Sequence, residues 1–335
     1  MDFQVFNSNE LLPQEKLVSA PIFSRLAWFS LFEKFICNDN LVAKYFVFTE
    51  QNSQFILPLA VYQNQLKSLT NYYSPFYRML GSAHITVDIC QQTIQSCQVE
   101  LKKYDTIDLV PIYEEDTVCW LKAFEKIGFK GFTYLHSINW YHEHITDIDQ
   151  YWSLRPSKLL NTLKRKKRKL DKMGGYSVVV STANSAFDLN KELADYHHVY
   201  FDSWKKVEPY PAFIDAIVSY AWQRGELRLG FVYHEEKPVA AQIWFVNNKT
   251  AYIFKLAYRS GYTKTSVGTV LTAAMMEYVI EKDKVSNVDF LTGDDNYKKD
   301  WMQSQRPLMG VQFCNPATWK GKKAYFRNIL SGIRK

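Results

Sequence analysis

A cluster of titratable residues follows the short apolar run NVDFL. In GDDNYK, the carboxylates of Asp294 and Asp295 precede Tyr297 and Lys298. These carboxylates, the phenol, the ammonium and the carboxylate of Asp289 within the apolar run can all accept or donate protons, so the cluster is a candidate for acid–base catalysis. A structural interpretation also stays open: Asp289 could cap a loop, Tyr297 could pack, and Lys298 could be a surface charge.

The loop SGYTKTSVGT is the second segment whose residues could bind a ligand. It follows the apolar run AYIFKLAYR and opens the helical pattern TVLTAAMMEYVIEK. The first amides of a helix lack acceptors within the helix and face anions favourably, so a strand followed by such a loop predicts a phosphate site. The residues expected to hold the phosphates are Arg259, Lys264, Ser266, Val267, Gly268 and Thr269. Gly268 is expected to let a diphosphate approach the backbone closely.

The stretch SKLLNTLKRKKRKLDK carries eight Lys or Arg residues and one acid, which is a local charge of +7. The whole chain, with 41 basic and 34 acidic residues, also has a net charge of +7, so this stretch accounts for all of it. Leucines at helical spacing predict an amphipathic helix, and neighbouring cations on a helix repel each other. The alternatives are a solvated face and an anion-binding face. We predict that Arg165, Lys166, Arg168 and Lys169 contact a phosphate-bearing ligand.

A weak internal repeat indicates how these segments are positioned. YFVFTEQNSQFILPLAVY and LRLGFVYHEEKPVAAQIWFV both read as strand, turn and strand, while TIDLV and NVDFL are short strands with Asp in the third place. Two copies of a mixed α/β unit explain both similarities. Because ligands of open α/β units bind beyond the carboxyl ends of strands, the two loops of the second copy are expected to meet at one edge.

The segment SVGTVLTAAMMEYVIEKDKVSNVDFLTGDDNYKKDW resembles the BioF2-like, or CelD-type, acetyltransferase domain of the GNAT superfamily, which is related to the Fem peptidyl transferases. The positions that match its pattern are Gly268, Asp289, Gly293, Tyr297, Lys298 and Trp301. KPVAAQIWF and RPSKLLNTLKRKKRKLDKMGG resemble a strand and the basic helix of the same domain. One difference is that GNAT loops often carry several glycines around the pyrophosphate, whereas TKTSVGT carries one.

This resemblance implies an α/β fold with mixed α+β sheets in two tandem GNAT-like domains. Residues 1–150 would form a degenerate copy that shapes the acceptor cleft, because Asp108 matches Asp289 but DLVPIYEEDT lacks the Gly and the Tyr-Lys pair. Residues 151–335 would form the acyltransferase domain, which begins with the basic helix. The implied reaction moves an acyl group from acyl-CoA, a co-substrate, to an amine of a small molecule, a sugar or a cell-surface precursor. Because the attacking amine must be neutral, we expect Asp294 or Asp295 to take its proton, with Asp289 the next candidate. A backbone N–H near Ala257 or Lys298 would bind the oxyanion, and Tyr297 would protonate the leaving thiolate.

Two alternatives use the same fold. With an aminoacyl-tRNA donor, as in the Fem relatives, the basic helix would grip RNA phosphates and binding would fall steeply with salt. A non-catalytic scaffold would instead use that helix on an anionic membrane. The chain shows no secretory signal and no segment long enough to span a bilayer, so we expect a cytoplasmic protein. The cysteines are scattered and form no CxxC pair, and no third ligand is near the pair His142 and His144 in the sequence. We therefore predict no metal site and no permanently bound cofactor.

Overall fold

The structure, a computed structural model, describes residues 1–8, 20–50, 53–81, 86–183, 185 and 188–333. Its first elements are β1 Asp2–Phe6, α1 Leu26–Phe35, β2 Val42–Glu50, β3 Ser53–Tyr62, β4 Gln65–Ser68, β5 Leu80–Gly81, α2 Val87–Ser96, α3 Gln98–Leu101, β6 Thr106–Tyr113, α4 Glu114–Lys126 and β7 Lys130–His142. They are followed by α5 Ile148–Ser153, α6 Ser157–Met173, β8 Tyr176–Ser181, α7 Leu189–Phe201, α8 Pro211–Gln223, β9 Leu227–His234, β10 Lys237–Asn247, β11 Thr250–Tyr258, α9 Val267–Glu281, β12 Asn287–Thr292, α10 Lys298–Trp301, β13 Ser304–Cys314 and α11 Trp319–Ile333. Two short 3-10 helices are Ile22–Ser24 and Ser260–Thr265.

The chain divides into two compact units, one formed by two separate segments of the sequence and the other by a single segment. Unit 1 comprises Met1–Ile138 together with Arg306–Lys335, and unit 2 comprises Asn139–Gln305. Each unit has its own buried cluster of apolar side chains. The two clusters share no residue.

In unit 1 the strands follow the order β1, β2, β3, β4, β6 and β13, and β5 also pairs with β3. All of these pairs are antiparallel except that of β4 with β6, which is parallel. Apolar side chains of β2 and β3 alternate with polar ones only in part, since β3 is buried along most of its length. A strand covered on both faces is expected to read as a nearly continuous apolar run.

In unit 2 the order is β8, β9, β10, β11, β12 and the last residues of β7. Among the described strands of this unit, β11 and β12 pair in parallel and the other pairs are antiparallel. Both units therefore have a run of antiparallel strands, one parallel step and a final antiparallel strand. This shared order confirms the internal repeat, including the predicted strands TIDLV in β6 and NVDFL in β12.

The units begin and end at different residues from the predicted join near residue 150. Residues 139–150 lie in unit 2 because the end of β7 pairs with β12 and Ile145 belongs to the core of unit 2. Residues 306–335 lie in unit 1 because β13 pairs with β6. The role of an N-terminal copy in shaping an acceptor cleft stays a prediction.

Helix α9 is the centre of unit 2. Its side chains are buried on several sides, among them Leu271, Met275 and Val279, as expected for a helix that packs on a sheet and under a second helix. Helix α6 has the three predicted leucines, Leu159, Leu163 and Leu170, buried and its cations outside. Among the residues described, none of the helices is both long enough and apolar enough to cross a membrane.

Candidate functional site

A cavity of about 360 Å³ opens at the start of α9 within unit 2. Its walls come from the first half of α6, the end of β11, the start of α9 and the segment around α10. The lining residues are Lys158, Leu159, Thr162, Trp204, Leu256, Tyr258, Gly268, Thr269, Thr272, Tyr297, Asp300 and Trp301. Three of the predicted site residues, Gly268, Thr269 and Tyr297, lie together in this cavity.

The first turn of α9 lines this cavity. Ser266 precedes the helix in a left-handed conformation with φ of 59°, and no side chain caps the helix. The first amides of a helix have no acceptor within it, and the helix dipole adds partial positive charge at this end. Gly268 and Thr269 stand in this first turn, while the side chain of Val267 is buried in the core. The geometry suits an anionic group at the helix end.

Gly268 has a reason for lacking a side chain that differs from the predicted one. A Cβ at this position would lie 2.9 Å from Cδ1 of Tyr258, which is closer than carbon atoms pack. The aromatic ring therefore occupies the space that a larger residue at 268 would need. The carbonyl of Gly268 also accepts a hydrogen bond of 3.0 Å from the Thr272 hydroxyl. Close packing of Tyr258 is enough to explain this glycine.

The two cations predicted beside this loop have other partners. Arg259 pairs with Asp202 at 2.5 Å, so its charge is compensated locally. Lys264 is exposed, and its carbonyl oxygen accepts a hydrogen bond of 2.9 Å from the Lys166 ammonium. Neither side chain lines the cavity. Their proposed contact with donor phosphates stays a prediction.

The basic helix contributes its N-terminal half to the cavity wall. Lys158 and Thr162 line the cavity, and Lys166 stands one further turn along the same side. Because each helical residue turns by about 100°, Arg165 and Lys169 flank this side, whereas Arg168 lies away from it. On the far flank, Lys167 pairs with Glu277 of α9 at 3.3 Å. Geometry thus separates the four predicted anion contacts into three near the cavity side and one outside it.

Lys298 is buried and holds the loop that follows β12. Its ammonium donates to the carbonyl oxygens of Phe290 at 3.1 Å and Thr292 at 2.7 Å. The side chain is only 5% exposed, and the carboxylate of Asp295 lies 3.9 Å away. Burial lowers the pKa of Lys298, and the charges of Asp295, Asp289 and Asp294 oppose that shift. Lys298 thus ties down the backbone of this loop, and the alternative of a free surface charge is wrong.

Asp289 is buried in a bulge of β12. Its Oδ1 accepts hydrogen bonds of 2.6 Å from Asn139 Nδ2 and 2.7 Å from the Leu291 N–H. Between Asp289 and Thr292 the register with β7 shifts, and Leu291 has φ of 55°, which is strained for a residue with a side chain. Asp289 therefore supports this bend, and it does not line the cavity.

The remaining predicted residues lie nearer to solvent. Asp294 accepts a hydrogen bond of 3.0 Å from Trp140 Nε1. The Asp295 side chain is 63% exposed, which leaves this carboxylate accessible. Tyr297 lines the cavity, and burial, followed by the charge of Asp295, raises its pKa. The phenol consequently stays protonated at neutral pH, as a proton donor must.

Beside this cavity, β11 and β12 separate. They pair only over residues 250–252 and 287–289, although β11 continues to Tyr258. Successive side chains of a strand point to opposite faces, so Leu256 and Tyr258 face the cavity while Lys255 faces the other way. The gap between β11 and β12 thus has the cavity on one face of the sheet and the side chain of Lys255 on the other face.

A titratable cluster that sequence reasoning missed surrounds Lys255. Lys255 pairs with Glu208 at 2.8 Å, and both side chains are buried. Lys205 lies within 6 Å of the Tyr200 ring, and burial lowers its pKa to about 8, with the charge of Lys255 acting in the same direction. Burial and Glu208 raise the pKa of Tyr200 to about 12. The polar run FDSWKKVEPY carries Lys205 and Glu208, but no local pattern connects it with β11.

No group of three or more His, Cys, Asp and Glu side chains suitable for a metal ion occurs in the described part of the chain. In particular, Nδ1 of His142 is 2.9 Å from the Arg155 guanidinium. Burial and this neighbouring cation lower the pKa of His142 to about 4.

Comparison with known proteins supports the fold. Residues 157–299 match the family model described as an acetyltransferase (GNAT) domain. No curated protein matches the chain in sequence. Similar solved structures include FemX (9% identity, TM-score 0.61, 95% of this chain and 98% of that chain). The C-terminal domain (DUF2156) of a putative lysylphosphatidylglycerol synthetase from Agrobacterium fabrum is also similar (11% identity, TM-score 0.57, 89% and 88% covered).

A tandem GNAT protein from the clavulanic acid biosynthesis pathway is similar over 90% of both chains, with 12% identity and a TM-score of 0.50. At such identities the similarity concerns the fold alone. The two repeated units, the family match to 157–299 and these neighbours together establish a mixed α/β, tandem GNAT-like fold, which FemX shares. The chain therefore has the fold of an acyltransferase.

Proposed function

We propose that this protein is an N-acyltransferase that moves an acyl group from acyl-CoA to an amine of a small molecule, a sugar or a cell-surface precursor. The cavity at the start of α9 is the observation that carries the proposal. It combines free helix-end amides with walls of Leu256, Tyr258 and Trp301. An elongated donor with phosphates at one part and an apolar chain at another fits such a mixture.

The donor phosphates would bind at the first turn of α9, near Gly268 and Thr269. Cations on the cavity side of α6, namely Arg165, Lys166 and Lys169, would attract the same phosphates over a longer range. The thioester would then lie toward the gap where β11 and β12 separate, beside Tyr297. In this arrangement the phosphates would meet the helix end, and the thioester would meet the loop that carries Asp295 and Tyr297.

The acceptor amine would approach from the face of β11 that carries Lys255. In the reaction, the amine nitrogen bonds to the thioester carbonyl carbon and the carbon–sulfur bond breaks. Asp295, the more exposed carboxylate of the loop, would take the proton from the amine, directly or through water. Tyr297 would give its proton to the departing thiolate. Asp289 and Lys298 would act on this loop by holding its backbone.

The test is calorimetric titration of acetyl-CoA into matched charge variants. Arg165→Gln, Lys166→Gln and Lys169→Gln, combined, remove three charges from the cavity side of α6. Lys164→Gln, Lys167→Gln and Arg168→Gln, combined, remove three from the other sides. We expect the first variant to bind acetyl-CoA roughly tenfold more weakly than the wild type, about 1.4 kcal/mol, and the second to change little at physiological salt.

Equal weakening in both variants would reduce the role of α6 to general charge attraction. Absence of acetyl-CoA binding to the wild type would contradict the proposal that acyl-CoA is the donor. If bulk tRNA then bound tightly and with steep salt dependence, the aminoacyl-tRNA donor would replace acyl-CoA. If neither ligand bound, a non-catalytic scaffold would be the better explanation.

A further inference from the structure

Helix α11 packs on unit 1 with one narrow face. Gly321 lies so close to the backbone of Asn315 that a Cβ would overlap its carbonyl oxygen. Ala324 is buried, and Asn328 donates a hydrogen bond of 2.8 Å to Gln312 Oε1. These three helix residues recur at helical spacing and therefore lie on one side of the helix. The helix is firmly seated, and its opposite side faces outward.

An apolar stripe occupies that outward side. Trp319 is 80% exposed, Phe326 is 61% exposed and Leu330 is 63% exposed. Spacings of seven and four residues bring them to one side, about half a turn from Gly321 and Ala324. Contiguous exposed apolar side chains of this size mark a surface that binds a partner.

Cations border the stripe on both sides. The helix carries Lys320, Lys322, Lys323 and Arg327, which are all exposed, and the sequence from 319 to 333 contains no Asp or Glu. By helical geometry, Lys322 lies on one flank and Lys323 and Arg327 lie toward the other. Four positive charges around an apolar centre are the pattern of a helix that lies in a lipid interface.

We propose that α11 docks unit 1 on the surface of an anionic lipid bilayer. A second copy of the chain would oppose one set of four positive charges with another, which disfavours self-association through this face. Nucleic acid would match the charge but would leave the side chains of Trp319, Phe326 and Leu330 without apolar partners. A bilayer with anionic headgroups satisfies both features, since the acyl boundary takes the apolar side chains and the headgroups take the cations. Helix α6 has no part in this proposal.

The test is co-sedimentation of the full chain with vesicles of phosphatidylcholine alone or mixed with phosphatidylglycerol. We expect the wild type to partition at least about tenfold more strongly onto the mixed vesicles. Phe326→Ser combined with Leu330→Ser should lower this partition by about tenfold or more. Val99→Ser is the matched control, because Val99 is also exposed in unit 1, at 77%, but lies on α3.

Charge is tested separately. Lys322→Gln, Lys323→Gln and Arg327→Gln should each lower the partition about fivefold, the change that corresponds to about 1 kcal/mol per cation near an anionic surface. Lys122→Gln and Lys126→Gln, on exposed positions of α4, serve as controls and should have little effect. Circular dichroism melting verifies that every variant is folded.

Three results would overturn the proposal. Equal binding of the wild type to both kinds of vesicle would show that anionic lipid is not recognised. Equal binding of the wild type and the Phe326→Ser, Leu330→Ser variant would show that α11 is not the docking surface. A monomer–dimer equilibrium in sedimentation velocity that this variant abolishes would assign the face to a second copy. Acetyl-CoA binding is measured independently, so these results leave the proposed acyl transfer untouched.

Discussion

At the scale of single residues, Lys205 has the most unusual environment near the candidate site. Its ammonium lies within 6 Å of the Tyr200 and Trp204 rings and forms no ion pair with a described carboxylate. The neighbouring Lys255 is paired with Glu208, and its charge repels that of Lys205, whereas the charges of Asp295 and Glu208 attract it. Burial lowers the pKa of Lys205 to about 8, whereas a lysine in an unfolded chain titrates near 10.4.

This difference predicts how stability depends on pH. Between pH 8 and 10.5 the folded Lys205 has lost its proton while the unfolded one keeps it, so the unfolded state binds more protons. The free energy of unfolding should therefore gain a positive contribution with rising pH, of at most about 1.4 kcal/mol per pH unit. Urea unfolding across this range should show this contribution in the wild type and in the exposed-neighbour control Lys206→Met, but not in Lys205→Met. Parallel pH profiles for all three proteins would contradict the lowered pKa.

At the scale of elements, the start of α9 depends on how β11 meets it. The ring of Tyr258, at the end of β11, fills the space beside Gly268 that a side chain would take. Gly268→Ala should displace this ring from the cavity wall and weaken acetyl-CoA binding roughly tenfold, about 1.4 kcal/mol by titration calorimetry. Gly261→Ala, in the same loop, adds a methyl group to open space and should leave binding unchanged.

A double variant separates the two explanations for this glycine. If Tyr258 is the reason, Gly268→Ala should weaken binding no further in a Tyr258→Ala background, because the displaced ring is absent. If the amide must instead approach the donor closely, the added methyl group should weaken binding in both backgrounds.

Sequence patterns predict elements whose cause is local. The leucine spacing of α6 and the apolar rows of α9 predict both helices, and the strand-to-helix loop predicts the cavity that Gly268 and Thr269 line. The burial of Lys298 and Asp289 follows instead from a bulge with Leu291 at positive φ, which the letters NVDFLTG do not reveal. Likewise, Lys205 and Glu208 meet Lys255 only because the segment after α7 folds over β11.

At the scale of the whole molecule, the repeat is completed by segments that are distant in sequence. Unit 1 takes its last strand, β13, from residues beyond unit 2, and the end of β7 supplies the last strand of unit 2. A repeat found in sequence places each copy in one continuous half. Pairing between β6 and β13 joins residues about 200 positions apart, and no local periodicity encodes such a pair.

This arrangement predicts which fragment folds alone. Residues 139–305 retain the Asn139 bond to Asp289, the Trp140 bond to Asp294 and the core residue Ile145. A fragment starting at 151 lacks all three and leaves the buried carboxylate of Asp289 without one donor, which costs about 1–3 kcal/mol on its own. We expect residues 139–305 to melt cooperatively by circular dichroism, and residues 151–305 and 151–335 to melt broadly or at a much lower temperature. A cooperative transition of 151–335 at the higher temperature would instead support the join near residue 150.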